Sequence, residues 1–517
     1  MKYSKINTSV IQGLSVRNID LEVSLLKGLP RFEISGLSVR KGQEMYGRVK
    51  ATLLNNGYQI PRMSIMCHLS EELQQVQDNS LDLALACAIL IADDQIQISK
   101  KFKEDITIIG GLNLSGEVAA IKGVYAMLQQ PKTRFWILPK MTKDELIFQP
   151  ENQLKNCFLV EDINQVVDVL TNKNLSHYQI DKYELFSERI LSEPIALPKK
   201  LQPLGQLAIE IAVAGWHPAL IVGSPDSDKP LLKNNVAQFL PLLDDQSYIE
   251  IRSLYSIKGL WQDVLAKKEI QSFELLDPNY SKQEILGGRS ELRPGVITMA
   301  HQGILYLEDI NMYKLDQIRL LRKPMDDQFV TLGSQNNQQV YPANFLLLAS
   351  MAPCPCGYFF EEAQSCDCSK TDINKFKEKI KLTILDKFQL TIILRESAIK
   401  KIIDNGFQRN ITKQEYKKII DRILKARSQQ KLRCQKHNLD YAFNSNVKPQ
   451  NFLDFFRLSN KTLQQYGQGN KRKNLSLNAF QNLIRIARTI ADLNEDQDIE
   501  LKHLYEAYTL RVKENIY

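Results

Sequence analysis

The sequence predicts a multidomain α/β protein made of three successive parts. Short apolar runs alternate with Gly and Pro over residues 1–172, a pattern typical of an α+β domain. From residue 201 to 395, apolar strands and helical patterns follow one another as in a parallel α/β sheet. Over residues 396–517 the apolar spacing is helical almost throughout, which predicts a helical carboxyl-terminal domain.

The composition is that of a globular protein with several cores. Of the 517 residues, 44% are hydrophobic and 24% are charged, which excludes collagen-like and wholly disordered chains. The amino terminus has no long apolar run before a small-residue cleavage site, and the most apolar stretch, 83–92, is too short to span a bilayer. We therefore expect a cytoplasmic protein without a membrane segment.

Helices are expected at 39–55 and 80–92 in the first part. The stretch 173–200 lacks a sustained apolar period and contains two prolines near its end, which indicates a linker.

The second part predicts helices at 205–215 and 230–240 and strands at 218–223, 248–252, 303–307 and 344–350. In the third part, Thr412 and Glu415 form a capping-box signature before a long helix. The apolar face of that helix is predicted from Ile411, Tyr416, Ile419, Ile420, Ile423 and Leu424.

A strand, a loop and a helix in the second part place Gly223, Ser224 and Lys229 where a phosphate-binding loop belongs. Such a loop needs glycines for close backbone approach, a lysine for the β/γ oxygens and a hydroxyl group for Mg²⁺. Here the second glycine is replaced by Asp228 and the hydroxyl residue by Pro230. A plain strand-to-helix connection explains the same pattern, so both interpretations stay open on this stretch.

An acidic pair follows a later strand, since the apolar run 303–307 leads directly into Glu308 and Asp309. A carboxylate at the carboxyl end of a buried strand can orient Mg²⁺, and its neighbour can polarise a water for attack on a γ-phosphate. An acid pair after a strand is also typical of a turn or a helix cap. Its occurrence downstream of the first motif favours the nucleotide interpretation.

Longer strings shared with one known family run through all three parts of the chain. They are GLPRFEISGL (28–37), RVKATLLNNGYQIP (48–61), DLALACAIL (82–90), GGLNLSGEVAAIKGV (110–124), GQLAIEIAVAGWHPALIVG (205–223), LRPGVITMAHQGILYLEDI (292–310), YPANFLLLASMAPCPCG (341–357) and LSLNAFQNLIRIARTIADL (475–493). On these strings the chain resembles the ComM-type members of the magnesium-chelatase-like AAA+ family. The resemblance implies a Lon-protease-like amino-terminal domain, an AAA+ P-loop-type core, and a helical lid with a Mg-chelatase-like carboxyl-terminal domain. It further implies ATP and Mg²⁺ as cofactors, ring-forming hexamers, and ATP-driven DNA helicase or branch-migration work in natural transformation and recombination.

The differences from that family lie at the residues that would bind and hydrolyse the nucleotide. The two later glycines and the threonine of the family's GPPGSGKT loop are Asp226, Asp228 and Pro230, and its Asp-Glu pair is Glu308-Asp309. At about 4 kcal/mol for a charge pair 4 Å apart at an effective dielectric near 20, two carboxylates beside a polyphosphate outweigh one lysine.

Three further positions of the family's site are altered. The sensor-one asparagine is Ala352, the arginine of the family's LLDRID string is Lys387, and the sensor-two arginine is Asn478. Loss of a transition-state arginine costs roughly 10³–10⁵ in rate, since lysine lacks its bidentate fork. We therefore predict that ATP hydrolysis is impaired or lost. An active ATP-dependent hexameric DNA translocase and a non-catalytic partner subunit of another AAA+ ring remain alternatives.

The resemblance also raises the question of proteolysis in the first part. Lon-type enzymes use a serine activated by a lysine, and Ser80 and Lys122 are the nearest such pair. The family positions align instead with Leu81 and Tyr125. We expect no proteolysis, and a scaffold or ring-contact role for this domain.

Half of the eight cysteines fall within fifteen residues, where Cys354, Cys356, Cys366 and Cys368 form a C-x-C-x9-C-x-C pattern. In a cytoplasmic chain a local thiol cluster indicates a metal rather than disulfides. Zn²⁺ binds four thiolates tetrahedrally, so a structural Zn²⁺ ion is expected. Four reduced thiols in a loop are the alternative.

Positive charge is concentrated between residues 395 and 437, which hold thirteen Lys or Arg against four acids. This excess is larger than the net charge of +8 of the whole chain and predicts contact with the DNA backbone without base reading. A solvated helix face, or a contact with an acidic neighbour in a homo- or hetero-oligomeric ring, explains it equally. The candidate residues for binding single-stranded or branched DNA are Lys417, Lys418, Arg422, Lys425 and Arg427.

Overall fold

The computed structural model describes residues 2–73, 79–173, 175, 203–225, 227, 229–266, 272–288, 293–334, 337–361, 365–381, 385–394, 411–440, 443–469 and 476–511. Most of the predicted linker 173–200, together with Asp226 and Asp228, lies outside these residues. Within the part of the chain described, no helix has both the length and the apolar character needed to cross a membrane.

The amino-terminal part is built on a seven-stranded mixed sheet. Its strands, with a short pair β6/β7 outside the main sheet, are β1 (Lys2–Gln12), β2 (Ser15–Leu26), β3 (Arg31–Ser35), β4 (Ser64–Leu69), β5 (Ile106–Ile108), β6 (Gly111–Leu112), β7 (Val118–Ala119), β8 (Phe135–Pro139) and β9 (Cys157–Val160). The order is β3-β4-β2-β1-β5-β8-β9, in which β1, β2 and β4 pair antiparallel and the remaining pairs are parallel. Its helices are Val39–Asn55, Asp82–Ala92, Val124–Leu128, Glu151–Leu154 and Ile163–Leu170.

The helix Asp82–Ala92 forms the centre of this domain. It is apolar on all sides and buried along nearly its whole length, because it packs between the sheet and the helix Val39–Asn55. At its first residue the Asp82 carboxylate, which is 1% exposed, accepts a bidentate hydrogen bond from Arg48 at 2.7 and 3.0 Å. A buried carboxylate needs such a partner, so this pair fixes where the helix begins.

The central part is a five-stranded, all-parallel sheet in the order β11-β12-β15-β10-β16. Its strands, with the separate hairpin β13/β14, are β10 (Ala219–Gly223), β11 (Phe273–Leu276), β12 (Ile304–Leu307), β13 (Phe329–Ser334), β14 (Asn337–Pro342), β15 (Leu346–Met351) and β16 (Leu390–Leu394). Its helices are Pro203–Gly215, Lys229–Val236, Asp245–Lys258, Trp261–Ala266, Lys282–Leu286, Val296–Met299, Leu315–Arg319, Arg322–Asp327 and Lys370–Lys381. Strands β10, β12 and β15 are buried throughout, as expected for a parallel sheet covered on both faces.

One predicted strand of this domain is wrong. Residues 248–252 lie inside the helix Asp245–Lys258. In chain order, the strand that follows β10 in this sheet is β11. The alternation of apolar and polar residues in YIEIR resembles a strand, but the Asp244 carboxylate caps the helix by accepting from the Ser247 N–H at 2.8 Å. The helix then buries Ile251, Leu254 and Tyr255 at helical spacing.

The carboxyl-terminal part is helical, as predicted. Its helices are Lys413–Lys436, Phe452–Phe455, Asn460–Gly469, Leu477–Leu493 and Leu501–Leu510. The capping box before the helix Lys413–Lys436 is present, since Thr412 and Glu415 exchange hydrogen bonds at 2.8 and 3.2 Å. Leu424, which was expected on the apolar face, is 42% exposed, whereas Ile423 is fully buried.

A buried polar network joins the helical part to the amino edge of the central sheet. His217, just before β10, contacts the Gln389 Oε1 at 2.5 Å and the Thr489 Oγ1 at 2.7 Å. Asn444 bridges the Thr489 hydroxyl group to the Asp492 carboxylate, each at 3.0 Å. Burial lowers the pKa of His217 to about 4, so the ring is neutral and its two nitrogens divide into one donor and one acceptor.

A second buried contact joins the amino-terminal part to the central part. The Glu145 carboxyl group accepts hydrogen bonds from the Tyr125 N–H at 2.7 Å and from the Ser256 hydroxyl group at 2.5 Å. Burial raises the pKa of Glu145 to about 7. The Tyr125 ring also packs on Trp261 with their centroids 5.1 Å apart, so this junction combines apolar and polar contacts.

Candidate functional site

The topology places the candidate phosphate-loop residues and the acid pair at the carboxyl edge of the central sheet. β10 lies between β15 and β16, so the strand order reverses beside it, and open α/β sheets bind ligands at the carboxyl ends of strands next to such a reversal. Gly223 ends β10 and Lys229 begins the next helix, while Glu308 and Asp309 follow the end of β12. The two motifs found along the sequence therefore meet at one edge.

At this edge each acid is paired with a lysine of the same chain. The Lys229 Nζ lies 3.6 Å from the Asp309 Oδ1, and the Lys233 Nζ lies 2.7 Å from the Glu308 Oε2. Asp309 has a left-handed backbone with φ +46°, and its N–H donates to the Ser350 Oγ on β15 at 3.0 Å. The lysine that would meet a phosphate thus already has a carboxylate partner.

A hydrogen bond and close contacts within the loop occupy part of the space around Gly223. The Ser227 hydroxyl group donates to the Ser224 carbonyl at 2.7 Å, and a Cβ added at Gly223 would lie 2.5 Å from that hydroxyl oxygen. The Ser224 Oγ is buried and forms no hydrogen bond within the described residues. Pro230 has no N–H to offer in the first turn of the helix and no hydroxyl group for Mg²⁺. Among the described residues, the loop offers Mg·ATP a lysine that is already ion-paired and no hydroxyl group at position 230.

Two further candidate positions lie at the opposite edge of the sheet. Lys387 precedes the amino end of β16, which pairs in parallel with β10, and a strand of five residues separates the two edges by about 16 Å. The Lys387 Nζ is held by the Asp326 carboxylate at 2.5 and 2.7 Å. Lys387 and Asn478 line the same cavity of about 620 Å³. They cannot reach the phosphate loop of their own chain.

Sequence reasoning missed a partly buried arginine in this cavity. Arg485 lies two helical turns beyond Asn478 on the helix Leu477–Leu493 and lines the cavity with it. Its guanidinium donates to the Asn482 Oδ1 at 3.1 Å and to the Val447 carbonyl at 3.3 Å, and burial lowers its pKa. The signal was a spacing of seven residues, which returns a helical side chain to the same face.

The four clustered cysteines converge at the end of β15. Their sulfur atoms all lie within 4.8 Å of one another, and the closest contacts are Cys354–Cys356 at 3.3 Å, Cys356–Cys366 at 3.5 Å and Cys354–Cys366 at 3.6 Å. Cys354 is buried, and Cys356, Cys366 and Cys368 are partly exposed. This is a donor set suited to a thiophilic metal ion. Ala352, at the sensor-one position, lies between β15 and the first of these cysteines.

The basic helix Lys413–Lys436 is less open than its charge indicates. Arg427 donates to the Val213 carbonyl at 2.9 Å and lies over the rings of Trp216 and Phe443, so it is a packing residue. Lys425 pairs with Glu495 at 2.7 Å on the surface.

Arg422 is held by a carboxylate of the central part. It pairs with Glu210 at 2.9 Å, and burial raises the pKa of that acid although Arg422 opposes the shift. Lys417 and Lys418 are exposed, and neither is ion-paired within the described residues. Lys418 lines a groove of about 1180 Å³ whose walls carry both basic and acidic side chains.

In the amino-terminal part, the positions that align with the Lon-type pair are apolar core or interface residues. Leu81 is 2% exposed and Tyr125 is 1% exposed. Ser80 is buried, and Lys122 lies against Gly259 of the central part.

Family models match the chain in three segments. The model of magnesium chelatase, subunit ChlI, matches residues 200–402, that of subunit ChlI of Mg-chelatase matches 21–141, and that of the subunit ChlI carboxyl-terminal region matches 413–511. Competence protein ComM of Haemophilus influenzae is 26% identical over 520 residues, which cover 96% of this chain and 95% of that protein. The chain belongs to the YifB/ComM family of magnesium-chelatase-like proteins.

Other members align equally fully. The uncharacterized protein YifB of Escherichia coli K12 is 25% identical over 519 residues, with 99% of this chain and 97% of that protein covered. An uncharacterized protein of Mycobacterium tuberculosis is 24% identical over 490 residues, with 93% of each covered. The predicted family is thus confirmed, and a mixed α/β core with a helical carboxyl-terminal part agrees with it.

Proposed function

We propose that this chain is a DNA-handling AAA+ subunit of the YifB/ComM family that binds and hydrolyses ATP poorly or not at all. The observation that carries the proposal is the Lys229–Asp309 pair beside a loop whose helix begins on Pro230. An arriving phosphate must displace the Asp309 carboxylate from Lys229, and it finds one N–H fewer in the first helical turn.

Assembly into a ring is part of this proposal. Lys387, Asn478 and Arg485 line a cavity at the amino edge, whereas Lys229 and the acid pair lie at the carboxyl edge. Groups on opposite edges act on one ligand only when the ligand lies between two neighbouring subunits. The Lys387–Asp326 pair would then have to open, which further disfavours catalysis.

The proposed partner is single-stranded or branched DNA, as in recombination or in the competence process that the name of one relative indicates. Lys417 and Lys418 are the exposed basic residues of the predicted set for which the described residues supply no ion-pair partner. For the amino-terminal domain we propose a Lon-like scaffold role without proteolysis, since Leu81 and Tyr125 are buried where a catalytic pair would be needed.

An active ATP-driven DNA translocase is the second candidate. It is favoured by one observation: Lys229, Glu308 and Asp309 still meet at the edge where the topology puts a ligand. A third arrangement, a non-catalytic subunit in a ring with an intact AAA+ partner, agrees with the same contacts.

Nucleotide binding and turnover decide between these candidates. We expect the purified full-length chain to bind Mg·ATP no more tightly than about 1 mM in a calorimeter. With forked DNA present, its turnover should stay at least 10²-fold below roughly 1 s⁻¹. Lys229→Ala should leave that residual rate unchanged. Micromolar affinity, or a rate that falls with Lys229→Ala, would establish the translocase instead.

DNA contact has its own measurement, a salt titration of forked-DNA binding. Replacing Lys417 and Lys418 by Ala should weaken binding and lower the slope of log K against log salt by about two. Ala at Lys100 and Lys103, two exposed lysines of the amino-terminal part, is the matched control and should change neither quantity. Equal effects of the two double variants would show that the long helix is not the DNA surface.

A further inference from the structure

We propose that Cys354, Cys356, Cys366 and Cys368 hold one Zn²⁺ ion and that this ion clamps the phosphate loop in its described conformation. The proposal does not depend on the function proposed above. It joins two loops at the carboxyl edge, the cysteine loop after β15 and the loop after β10.

The sulfur positions suit a single tetrahedral ion. With Zn–S bonds of about 2.3 Å, four thiolates around zinc lie about 3.8 Å apart. The three closest sulfur pairs here are separated by 3.3, 3.5 and 3.6 Å, and all four sulfurs lie within 4.8 Å. These distances are far longer than the S–S bond of a disulfide, which is about 2.0 Å.

An iron–sulfur cluster requires a wider arrangement. Its thiolates are divided among two or four irons that are themselves bridged by sulfide, so the cysteine sulfurs cannot all share one centre. The compact set found here fits one ion, and four thiolates without nitrogen or oxygen donors favour Zn²⁺ among common cellular metals.

Backbone N–H groups support negative charge on the sulfurs. The Cys356 N–H donates to the Cys368 Sγ at 3.3 Å, and the Gly357 N–H donates to the Cys354 Sγ at 3.2 Å. Such contacts orient thiolate ligands and stabilise their charge. Partial exposure of three of the four thiols leaves an entry path for the ion.

The link to the phosphate loop passes through Gly357. Its φ is +90°, and a Cβ added there would lie 2.7 Å from the Cδ of Pro225, which is two residues after Gly223. The backbone of the cysteine loop therefore rests directly on the proline ring. Because Gly357 follows Cys356, an ion that fixes the cysteines also fixes the surface against which Pro225 packs.

The other end of the cysteine loop is tied to a helix. Ser369, next to Cys368, accepts from the Asp372 N–H at 3.1 Å and so caps the helix Lys370–Lys381. Zinc would join this helix, the end of β15 and the phosphate loop. It would give the loop the support that a bound phosphate would otherwise supply.

Metal content tests the site. Protein purified without chelators from zinc-supplemented medium should contain about one zinc ion per chain by elemental analysis. Cys356→Ala should lower that content at least about ten-fold. Cys157→Ala, which removes a buried thiol of the amino-terminal part, is the matched control and should keep it. Protein with no zinc, or Cys356→Ala with full zinc, would overturn the proposal.

Hydrogen exchange tests the clamp. Removing zinc from the wild-type chain with a chelator should make amide exchange over residues 227–233 about ten-fold faster. Exchange in the hairpin β13/β14 should not change, which controls for general unfolding. Wild-type chelation also gives an answer if Cys356→Ala fails to fold. If the chelator removes zinc and amide exchange over residues 227–233 stays the same, the clamp is refuted, even if the four cysteines do bind the metal.

Discussion

The two edges of the central sheet differ in how far their charged side chains are buried and in how many partners these side chains have. At the carboxyl edge, Lys229 pairs at 3.6 Å with Asp309, which is 47% exposed. At the amino edge, Asp492 is 2% exposed and is held by Asn444, Arg433 and Arg488. The first arrangement is a long ion pair with one half-exposed partner, and the second is a buried network in which the Asp492 carboxylate is held by several donors.

This difference indicates at which edge substitutions are tolerated. Groups in a buried network share partners, so losing one leaves the others unsatisfied in a low dielectric. A surface pair can be gained or lost at little cost in stability, so a site used for chemistry can change once that chemistry is not needed. The altered positions of the family's phosphate loop lie at the tolerant edge.

The largest expected effect is at Asp492. Asp492→Ala leaves Arg433 and Arg488 buried without their carboxylate, so the free energy of unfolding should fall by about 3–5 kcal/mol. The same substitution at Asp309 should cost less than about 1 kcal/mol. Denaturant unfolding of the two variants measures both values. Equal costs would mean that the two edges are not different in the way described.

Acid should weaken the amino edge through His217. Because burial lowers its folded pKa from 6.5 to about 4, the unfolded chain binds more protons between these values. Stability should therefore fall as pH drops from 6.5 to 4, by an amount on the order of 3 kcal/mol. Glu145, whose raised pKa makes stability fall as pH rises from 4.5 to 7, opposes this trend in the same window.

The difference between wild type and His217→Gln isolates the histidine, since Glu145 is common to both chains. Glutamine keeps hydrogen-bonding capacity and does not titrate. If the two unfolding curves shift in parallel from pH 7 to pH 4, His217 is not buried in its neutral form.

Restoring the family's loop should repair binding at the carboxyl edge. The triple variant Asp226→Gly, Asp228→Gly, Pro230→Thr removes two carboxylates and returns a helical N–H and a hydroxyl group. We expect Mg·ATP affinity to rise at least about ten-fold, or 1.4 kcal/mol. Calorimetry measures the affinity and a phosphate-release assay the rate, which should stay low because Ala352 and Lys387 are unchanged. Unaltered affinity would place the defect elsewhere.

The smallest effect is expected for the Lys229–Asp309 pair itself. A double-mutant cycle with Lys229→Ala and Asp309→Asn should give a coupling energy below about 1 kcal/mol, since one partner is half exposed. The cycle at Arg488 and Asp492 is the buried reference and should give a larger value. A coupling of several kcal/mol at the carboxyl edge would show that its pair has become structural.

Local signals were sufficient for much of the fold. The capping box at Thr412, the apolar helix at Asp82–Ala92 and the strand β10 are all where the sequence predicted them. The wrong strand prediction at 248–252 has a local cause as well. Five residues that alternate between apolar and polar fit the two-residue period of a strand and also the period of a helix. Only the cap at Asp244 and the burial of Leu254 show that the segment is helical.

The candidate sites were only partly predictable. The cysteine spacing correctly brought four sulfurs together, since short loops limit where neighbouring thiols can go. The basic helix was harder to interpret, because Arg427 and Arg422 face the central part and their partners Val213 and Glu210 are about 200 residues away in sequence. The domain boundaries and the roles of the site residues stay predictions.

By itself the sequence determined which side chains are available: two acids and a proline in the phosphate loop, four thiols in one short segment, and a lysine at position 387. Only the tertiary structure decided which of them meet. It brought Lys229 to Asp309, separated Lys387 from that pair by the width of the sheet, and laid Gly357 on Pro225. The reason is that parallel strands set the two edges of a sheet apart and bring distant loops together at each edge, which no local pattern records.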